Sequence, residues 1–539
     1  MTRDRSRLTS APFDVLVIGG GIHGLAVAYD AAQRGYAVAL VERGDFGSGS
    51  SFNHAKTLHG GLRSLQSGDV LKARFSVRER RAMARIAPHL VTPLAFVMAT
   101  TRSLTRSKMA LRAGFLADAL LGFDRNAGVE PRLRLPSGRV ISRDSYRALF
   151  GANASAEATG GARWTDYQMP ESDRLTLAFA QAACVHGAVL ANYLEALDPL
   201  VRAGRVAGIR AVDRLDGTMI EIAARVTVNA AGAYCRPWMT AFGATPDFAL
   251  LKAMNLVTTR PAGRVAMGAP ASGGRLLLIM PWHGRMLVGT SHSDTAAEPG
   301  DNAVSQSEVA SFVDEVNSAF PALALGAAEV SLVHRGVVPA VPDRHGVLGL
   351  MGHHRVHDHR VDGIEGAVSV VGVKYTTGRG VAEQVVDLIG RKLGRPAPPC
   401  RTATTRLPGA GFDSVRAETD RARSEVGRLL SPESIEALVA THGTEWRAVA
   451  DLCRTDAELA GPIAPGIALP RAVVHYAVQR EMACTLADIV VRRMPLGAAG
   501  YPGDAVVDVC GALMARACQW APRRLAREVE AVRAFYNVV

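Results

Sequence analysis

Gly19, Gly21 and Gly24 stand at the spacing G-x-G-x-x-G in Gly19-Gly20-Gly21-Ile22-His23-Gly24, and an acid, Glu42, follows roughly 20 residues on. These residue types at these distances suit a dinucleotide. The first glycine permits a tight turn, the second lets backbone approach a pyrophosphate, and the third lets a helix pack on a strand. N–H groups at the helix start face the phosphates, and Glu42 is placed to accept from ribose hydroxyls. The plain alternative is a tight glycine turn with no ligand. A second group lies in Ser48–Leu65, where small residues lead into Lys56, His59, Gly60-Gly61 and Arg63. Such a segment lets backbone pass close to a flat cofactor while long cationic side chains point at it. A third is the turn Asn229-Ala230-Ala231-Gly232. In a fourth, the apolar run Val368–Val371 ends at Gly372, and Lys374, Thr376, Thr377 and Arg379 follow. A strand end and helix start there supply N–H groups and positive charge. His353, His354, His357 and His359 gather in Gly352–Arg360. Imidazoles ligate metals well, but no partner carboxylate or cysteine cluster is evident in the sequence. A solvated hairpin without metal is expected.

These groups need elements to position them. Val15–Ile18 reads as a buried parallel strand, Leu25–Arg34 as a helix and Ala37–Val41 as a second strand ending in Glu42. Val70–Ile86 reads as a charged helix. In Ser103–Phe123, the residues Leu111, Phe115, Leu116, Ala119, Leu120 and Phe123 share one helical face, with Arg106, Lys108 and Arg112 nearby. That face either packs on the core or rests on an anionic membrane surface. A helix is expected over Leu175–His186, a strand over Leu250–Thr258 and another helix from near Val381. Proline-rich Gly394–Cys400 reads as a linker. Beyond Arg401 the patterns are helical, over Ser431–Thr441, Leu469–Arg493 and Gly511–Phe535. The expected organisation is a disordered basic tail over 1–12, a dinucleotide-binding domain with an interleaved substrate domain over 13–393, the linker over 394–400, and a helical domain over 401–539.

With 539 residues, more than one domain is expected. Apolar content of 48% and charged content of 21% describe an ordinary globular protein. The seven cysteines are scattered and form no C-x-x-C, which suits a reducing compartment and argues against structural zinc. The polar, basic N-terminus is not a secretory signal, and no run of about 18 apolar residues predicts a membrane span. The net charge of +12 comes mostly from dispersed arginines. It fits an anionic substrate or a membrane surface, and no nucleic-acid motif accompanies it.

The segment Lys56-Thr57-Leu58-His59-Gly60-Gly61-Leu62-Arg63-Ser64-Leu65 resembles the K-L-I-H-G-G-L-R-Y-L of the FAD-dependent glycerol-3-phosphate dehydrogenase family, among the D-amino-acid-oxidase-like flavoproteins. Glu79-Arg80 with Ala87-Pro88-His89-Leu90, Trp164-Thr165-Asp166, Asp173-Arg174-Leu175, Met280-Pro281-Trp282, Val288-Gly289-Thr290 and the Gly372–Arg379 block resemble further family stretches. The run Glu481…Asp488…Arg492-Arg493 resembles its C-terminal helical domain. The likeness extends from about Phe13 to Phe535.

The resemblance implies an α/β + α fold: a Rossmann-like FAD-binding domain interleaved with a β-rich substrate domain, plus a C-terminal helical domain. It implies FAD rather than NAD, held by Ile18, Gly19, Gly20, Gly21, Ile22, His23 and Gly24, by Glu42 and Arg43, by Ser50, Ser51, Lys56, Leu58 and Gly60, by Ala231 and Gly232, and by Gly372, Lys374, Tyr375 and Thr376. It implies oxidation of glycerol 3-phosphate, with electrons leaving to quinone or another acceptor. The hydroxyl proton needs a base, for which His59 and His334 are the candidates. Arg63, Lys374 and Arg379 are expected to bind an anionic substrate or stabilise reduced flavin.

The substrate side departs from the family. Val338 stands where the family has a substrate-facing arginine, and Ser64 replaces a tyrosine. Ser291-His292 replaces T-D, and Lys252-Ala253-Met254-Asn255 replaces K-G-S-H. Arg335 points away from Val338 on a strand, whereas His334 shares its face. Another hydroxy acid, polyol or amine is therefore an open alternative substrate, and a flavin-binding sensor or scaffold without turnover is an alternative of another class. A cytoplasmic chain, peripheral on the inner face of the membrane and forming a homodimer, completes the expectation.

Overall fold

The computed structural model describes residues 1–271 and 275–537. The β-branched run after the tail forms strand β1 (Phe13–Ile18) at the centre of a sheet. The glycine turn leads into helix α2 (Ile22–Gln33), which returns the chain to β2 (Val38–Val41). β1 pairs in parallel with β2 on one side and with the strand Met219–Asn229 on the other. Ile18 stands level with Val41 and Asn229, so the three strands end together. Chain direction diverges at this point, to α2 and β2 on one side and to a distant strand on the other. Such a switch point opens a crevice at the carboxyl ends. Ala367–Val371 extends the sheet in parallel beyond Met219–Asn229, and Arg355–Asp358 closes that edge antiparallel.

A second sheet of ten strands carries the long antiparallel pairings of Ala249–Pro261 with Arg285–Ala296 and Val330–Pro342. Neighbouring residues along these strands face opposite ways. Leu256, Val288 and Val333 pack under the helix Gln306–Ala319 with Phe312 and Val316. Val257, Leu287 and Leu332 pack with Trp446, Val473 and Ile489 of the C-terminal helices. The helical region therefore shares one core with the substrate sheet. Burying each such large apolar side chain contributes about 1.5–3 kcal/mol.

Ion pairs fasten the same region to the first sheet. Arg174 donates to Glu481 at 2.6 Å, and Arg492 and Arg493 both donate to the buried Asp45 at 2.7 Å. Burial alone would raise the Asp45 pKa, but the two arginines hold it down at about 2.

Several expectations change. The tail is not disordered: helix α1 (Arg5–Thr9) buries Leu8, Asp4 caps it, and Arg3 and Arg5 donate to Asp213 at 2.7 Å. The apolar Leu8 and the buried Asp213 partner supply what a free tail lacks. Gly511–Phe535 is two helices, Asp504–Cys518 and Pro522–Tyr536. Gln519 adopts a left-handed conformation and Pro522 starts the new helix. The histidine hairpin is not wholly solvated, since His359 is fully buried.

The charged helix α4 (Val70–Ile86) spans the expected residues and follows a short helix α3 (Leu62–Gln66). In helix α5 (Lys108–Leu121) the amphipathic face divides. Leu111 and Phe115 are buried, whereas Leu116, Leu120 and Phe123 just beyond are exposed. Among the described residues, no helix is long and apolar enough to cross a membrane.

Candidate active site

The crevice at the end of β1 is shaped by close backbone approach. Gly19 has φ +104°, and a Cβ there would lie 2.6 Å from the Ala230 carbonyl oxygen. A Cβ on Gly24 would collide with the Gly19 carbonyl. The Ala230 N–H donates to Ile18 O at 2.9 Å, which joins the first turn to the second. Asn229 Oδ1 accepts from Ala231 N–H at 3.3 Å, and Gly232 turns with φ +58°.

Glu42 spans the opening. Its Oε2 accepts from Gly20 N–H at 2.6 Å and its Oε1 from Gly44 N–H at 2.8 Å. Burial raises its pKa, against the pull of those two N–H groups. Its remaining lone pairs suit ribose hydroxyls. Ser51 Oγ accepts from Ile22 N–H at 2.9 Å, tying the Ser48–Leu65 segment to the start of α2. Arg43 lies 4.4 Å over the Tyr234 ring. Gly21 has only Ser51 Oγ near its would-be Cβ, at 3.2 Å, so its outer side is open for a pyrophosphate. The glycine cradle, the helix start and the spanning carboxylate fit an adenine dinucleotide.

Beyond the cradle the segment turns toward the second sheet. Ser50 Oγ donates to Val337 O at 3.4 Å, and Leu58 is fully buried. Gly372 covers His23, with no room for a Cβ against its ring. Burial pushes the His23 pKa down to about 4, so the imidazole is neutral. Tyr375 stacks on His54 at 4.9 Å, and its hydroxyl lies 2.8 Å from Thr176 Oγ1. Thr376 is buried at the start of the following helix.

His59 is held from both sides. Its Nδ1 lies 3.2 Å from Asp166 Oδ2 and its Nε2 2.8 Å from Thr57 Oγ1. An ionised carboxylate only accepts, so Nδ1 carries a hydrogen, and the neutral tautomer held this way presents Nε2 as the acceptor. Asp166 also accepts from Gly60 N–H at 2.9 Å and from Arg80. Burial opposes its ionisation, but Arg80 and these hydrogen bonds hold it well below the usual carboxylate range.

Three cations gather nearby. Burial, then Lys72 and Arg63, push the Lys374 pKa down to about 8. Burial, with Arg275 and Arg63, lowers His292 to about 4. Arg63 on α3 therefore acts electrostatically on both Lys374 and His292. None of Arg63, Lys72 and Lys374 forms an ion pair among the described residues. His292 lines a cavity of about 560 Å³, walled by Lys252, Met254, Gly336 and the helix Gln306–Ala319. Gly336 brings the cavity to the Ser48–Leu65 segment, because its would-be Cβ lies 3.7 Å from Ser50 Oγ.

Three expected side chains lie elsewhere. Lys56 is fully buried and donates to Phe52 O at 2.6 Å and Ser172 Oγ at 3.1 Å, with Asp173 at 3.8 Å. Its ammonium points back into the protein, toward these partners. His334 has no exposure, stacks on Phe52 at 4.8 Å and meets the edge of Trp282. Burial and nearby Lys56 keep it neutral, sealed in the seam with the helical region. Arg379 donates to both oxygens of Glu79, at 2.7 and 2.6 Å, and to Glu383 at 2.9 Å. Its fork is filled by carboxylates.

Conversely, Asp166 and His292 stand in the site without a role in the sequence reading. Asp166 belongs to the Trp164-Thr165-Asp166 stretch and His292 to the altered T-D position, so both signals were present. Only the fold shows what they touch.

A parallel sheet with a dinucleotide cradle at its switch point, joined to an antiparallel sheet that walls a cavity, defines a flavin-dependent oxidoreductase. The sequence pattern of the FAD dependent oxidoreductase (DAO) family matches residues 14–388, and that of the C-terminal domain of alpha-glycerophosphate oxidase matches residues 400–525. The chain belongs to this family and is an enzyme that binds FAD. It is 31% identical to a glycerol-3-phosphate dehydrogenase of Synechocystis, over 98% of this chain and 97% of that one. It is 33% identical to glycerol-3-phosphate dehydrogenase 1 of Mycobacterium tuberculosis, over 93% and 95%. The fold is shared with a glycerol-3-phosphate dehydrogenase from Bacillus halodurans complexed with FAD (TM-score 0.77, 23% identity, 99% and 96% covered).

Proposed function

We propose that the chain is an FAD-dependent dehydrogenase that oxidises glycerol 3-phosphate to dihydroxyacetone phosphate and passes the electrons to quinone or another acceptor. The observation that carries this reading is the cluster of Arg63, Lys72 and Lys374, none in an ion pair among the described residues, with Arg63 four residues beyond the Asp166-held His59. Clustered cations that form no ion pair among the described residues suit a phosphate dianion, and a carboxylate-oriented imidazole suits the proton of an alcohol. The glycerol-3-phosphate dehydrogenases among the relatives support the same substrate.

In this reading Arg63 and Lys374 orient the phosphate. His59 Nε2, now taken by Thr57, accepts the hydroxyl proton, and Asp166 stabilises the imidazolium. Bound FAD supplies the two-electron oxidant that takes the hydride.

Val338 and the size of the cavity favour a second reading, in which the same site oxidises a larger hydroxy acid, polyol or amine. The exposed α5 face, with Arg106, Lys108 and Arg112 nearby, supports peripheral docking on an anionic membrane, where quinone resides.

Anaerobic titration of the FAD-loaded protein with glycerol 3-phosphate separates the readings. Bleaching of the flavin absorbance supports the first. A flavin that dithionite reduces and glycerol 3-phosphate leaves oxidised sinks it and directs the search to larger substrates.

A further inference from the structure

The hairpin at the edge of the first sheet brings two imidazoles and a carboxylate to one point. His357 stands opposite Ser369 in the antiparallel pairing, and the turn His359–Asp362 folds the carboxylate back over the strand. His357 Nε2 lies 2.6 Å and His359 Nδ1 2.9 Å from the same atom, Asp362 Oδ2. The three donor atoms lie within 4.8 Å of one another. His359 is fully buried against the Phe242 ring, and its Nε2 lies 2.8 Å from Ser369 Oγ. His357 and Asp362 are partly exposed, which leaves the solvent side open.

Two ring nitrogens and a carboxylate oxygen facing a common point form a donor set for a divalent transition ion. An outer hydrogen bond like that from His359 to Ser369 is what a ligating imidazole uses to fix its orientation. The residues take no part in the flavin site.

We propose that His357, His359 and Asp362 bind a divalent transition-metal ion, represented by Zn²⁺, with coordination positions open to solvent. Without the ion, both ring N–H groups donate to Asp362. Binding moves the His359 hydrogen from Nδ1 to Nε2, where it donates to Ser369 Oγ, and the ion takes the vacated lone pair. His357 likewise moves its hydrogen from Nε2 to Nδ1, which frees the Nε2 lone pair for the ion. Ser369 also accepts from Asn229 Nδ2 at 2.9 Å, and Asn229 Oδ1 receives Ala231 N–H. The ion would thus brace a chain of contacts that ends at the second nucleotide turn.

Calorimetric titration of chelator-stripped, FAD-loaded full-length protein with ZnCl₂ tests this. The comparison set is His357→Ala, Asp362→Asn and, as a control outside the cluster, His353→Ala. The expected result is one ion per chain, weakened about tenfold or more in the first two variants and unchanged in the control. Both substituted positions are partly exposed, and circular dichroism of each variant shows that the fold is retained. Absence of saturable uptake by the native chain, or uptake that His357→Ala and Asp362→Asn leave unchanged, overturns the site.

Discussion

Arg63 and Arg379 carry the same charge and sit at two ends of the expected site, and their surroundings separate them. Arg379 is buried with both oxygens of Glu79 in its fork. Replacing it by Met leaves a carboxylate buried without its partner, at a cost of about 3–5 kcal/mol. Denaturant unfolding of Arg379→Met should show that loss, while the folded fraction keeps its turnover number. Arg63 lies exposed on α3 with no ion pair among the described residues. Arg63→Met should therefore leave the unfolding midpoint in place and lower kcat/KM for an anionic substrate roughly 10- to 100-fold, the worth of a charge-assisted hydrogen bond. Lys374 adds a pH signature. With its pKa pushed down to about 8, it is charged below that pH and loses its proton as pH rises through it. The kcat/KM profile of the free enzyme should fall above about pH 8, and Lys374→Met should be weak throughout and lack that limb. A native profile flat to pH 10 would remove Lys374 from substrate binding.

The turn between β1 and α2 shows how an element sets tolerance at each glycine. At Gly24 the would-be Cβ overlaps the Gly19 carbonyl, so Gly24→Ala forces the helix off the strand. Both stability and flavin content should fall. At Gly21 the would-be Cβ meets only Ser51 Oγ, at 3.2 Å. Gly21→Ala should fold with near-native thermal stability as apoprotein and lose FAD, because its methyl fills the space left for pyrophosphate. Flavin absorbance per protein, read beside the apoprotein melting curve, distinguishes the two. Equal behaviour of both variants would mean that the cradle serves packing alone.

Across the whole molecule, charge and apolar surface are unevenly spread. Seven of the fifteen strongly exposed large apolar side chains among the described residues fall between Val70 and Phe123. Leu116 and Phe123 are 63% and 80% exposed, and Arg112 is exposed between Met109 and Leu116. Apolar side chains flanked by cations suit the boundary of an anionic bilayer. Cosedimentation with anionic vesicles should capture the native protein, and the triple variant Leu116→Glu, Leu120→Glu, Phe123→Glu should stay in solution while keeping its turnover with a soluble acceptor. A native protein that ignores the vesicles ends the docking proposal.

Local order along the chain determined the dinucleotide cradle. Strand, glycine turn, helix, second strand and Glu42 follow one another within about 30 residues, so spacing alone specifies their geometry, and the charged helix Val70–Ile86 was legible for the same reason. Side chains whose roles depend on distant partners were not. Lys56, His334 and Arg379 carry the chemistry of a flavin site, yet each meets a partner that no local spacing announces: Ser172 and Asp173, Phe52 and Trp282, and Glu79. His59 gained its orienting carboxylate from Asp166, and the histidine hairpin gained Asp362 through a turn. Neighbours in sequence are fixed by bond geometry, whereas ion pairs and burial are decided by which surfaces meet when the two sheets and the helical region close on one core. Only the tertiary structure decides which of several arginines stays free to meet a substrate.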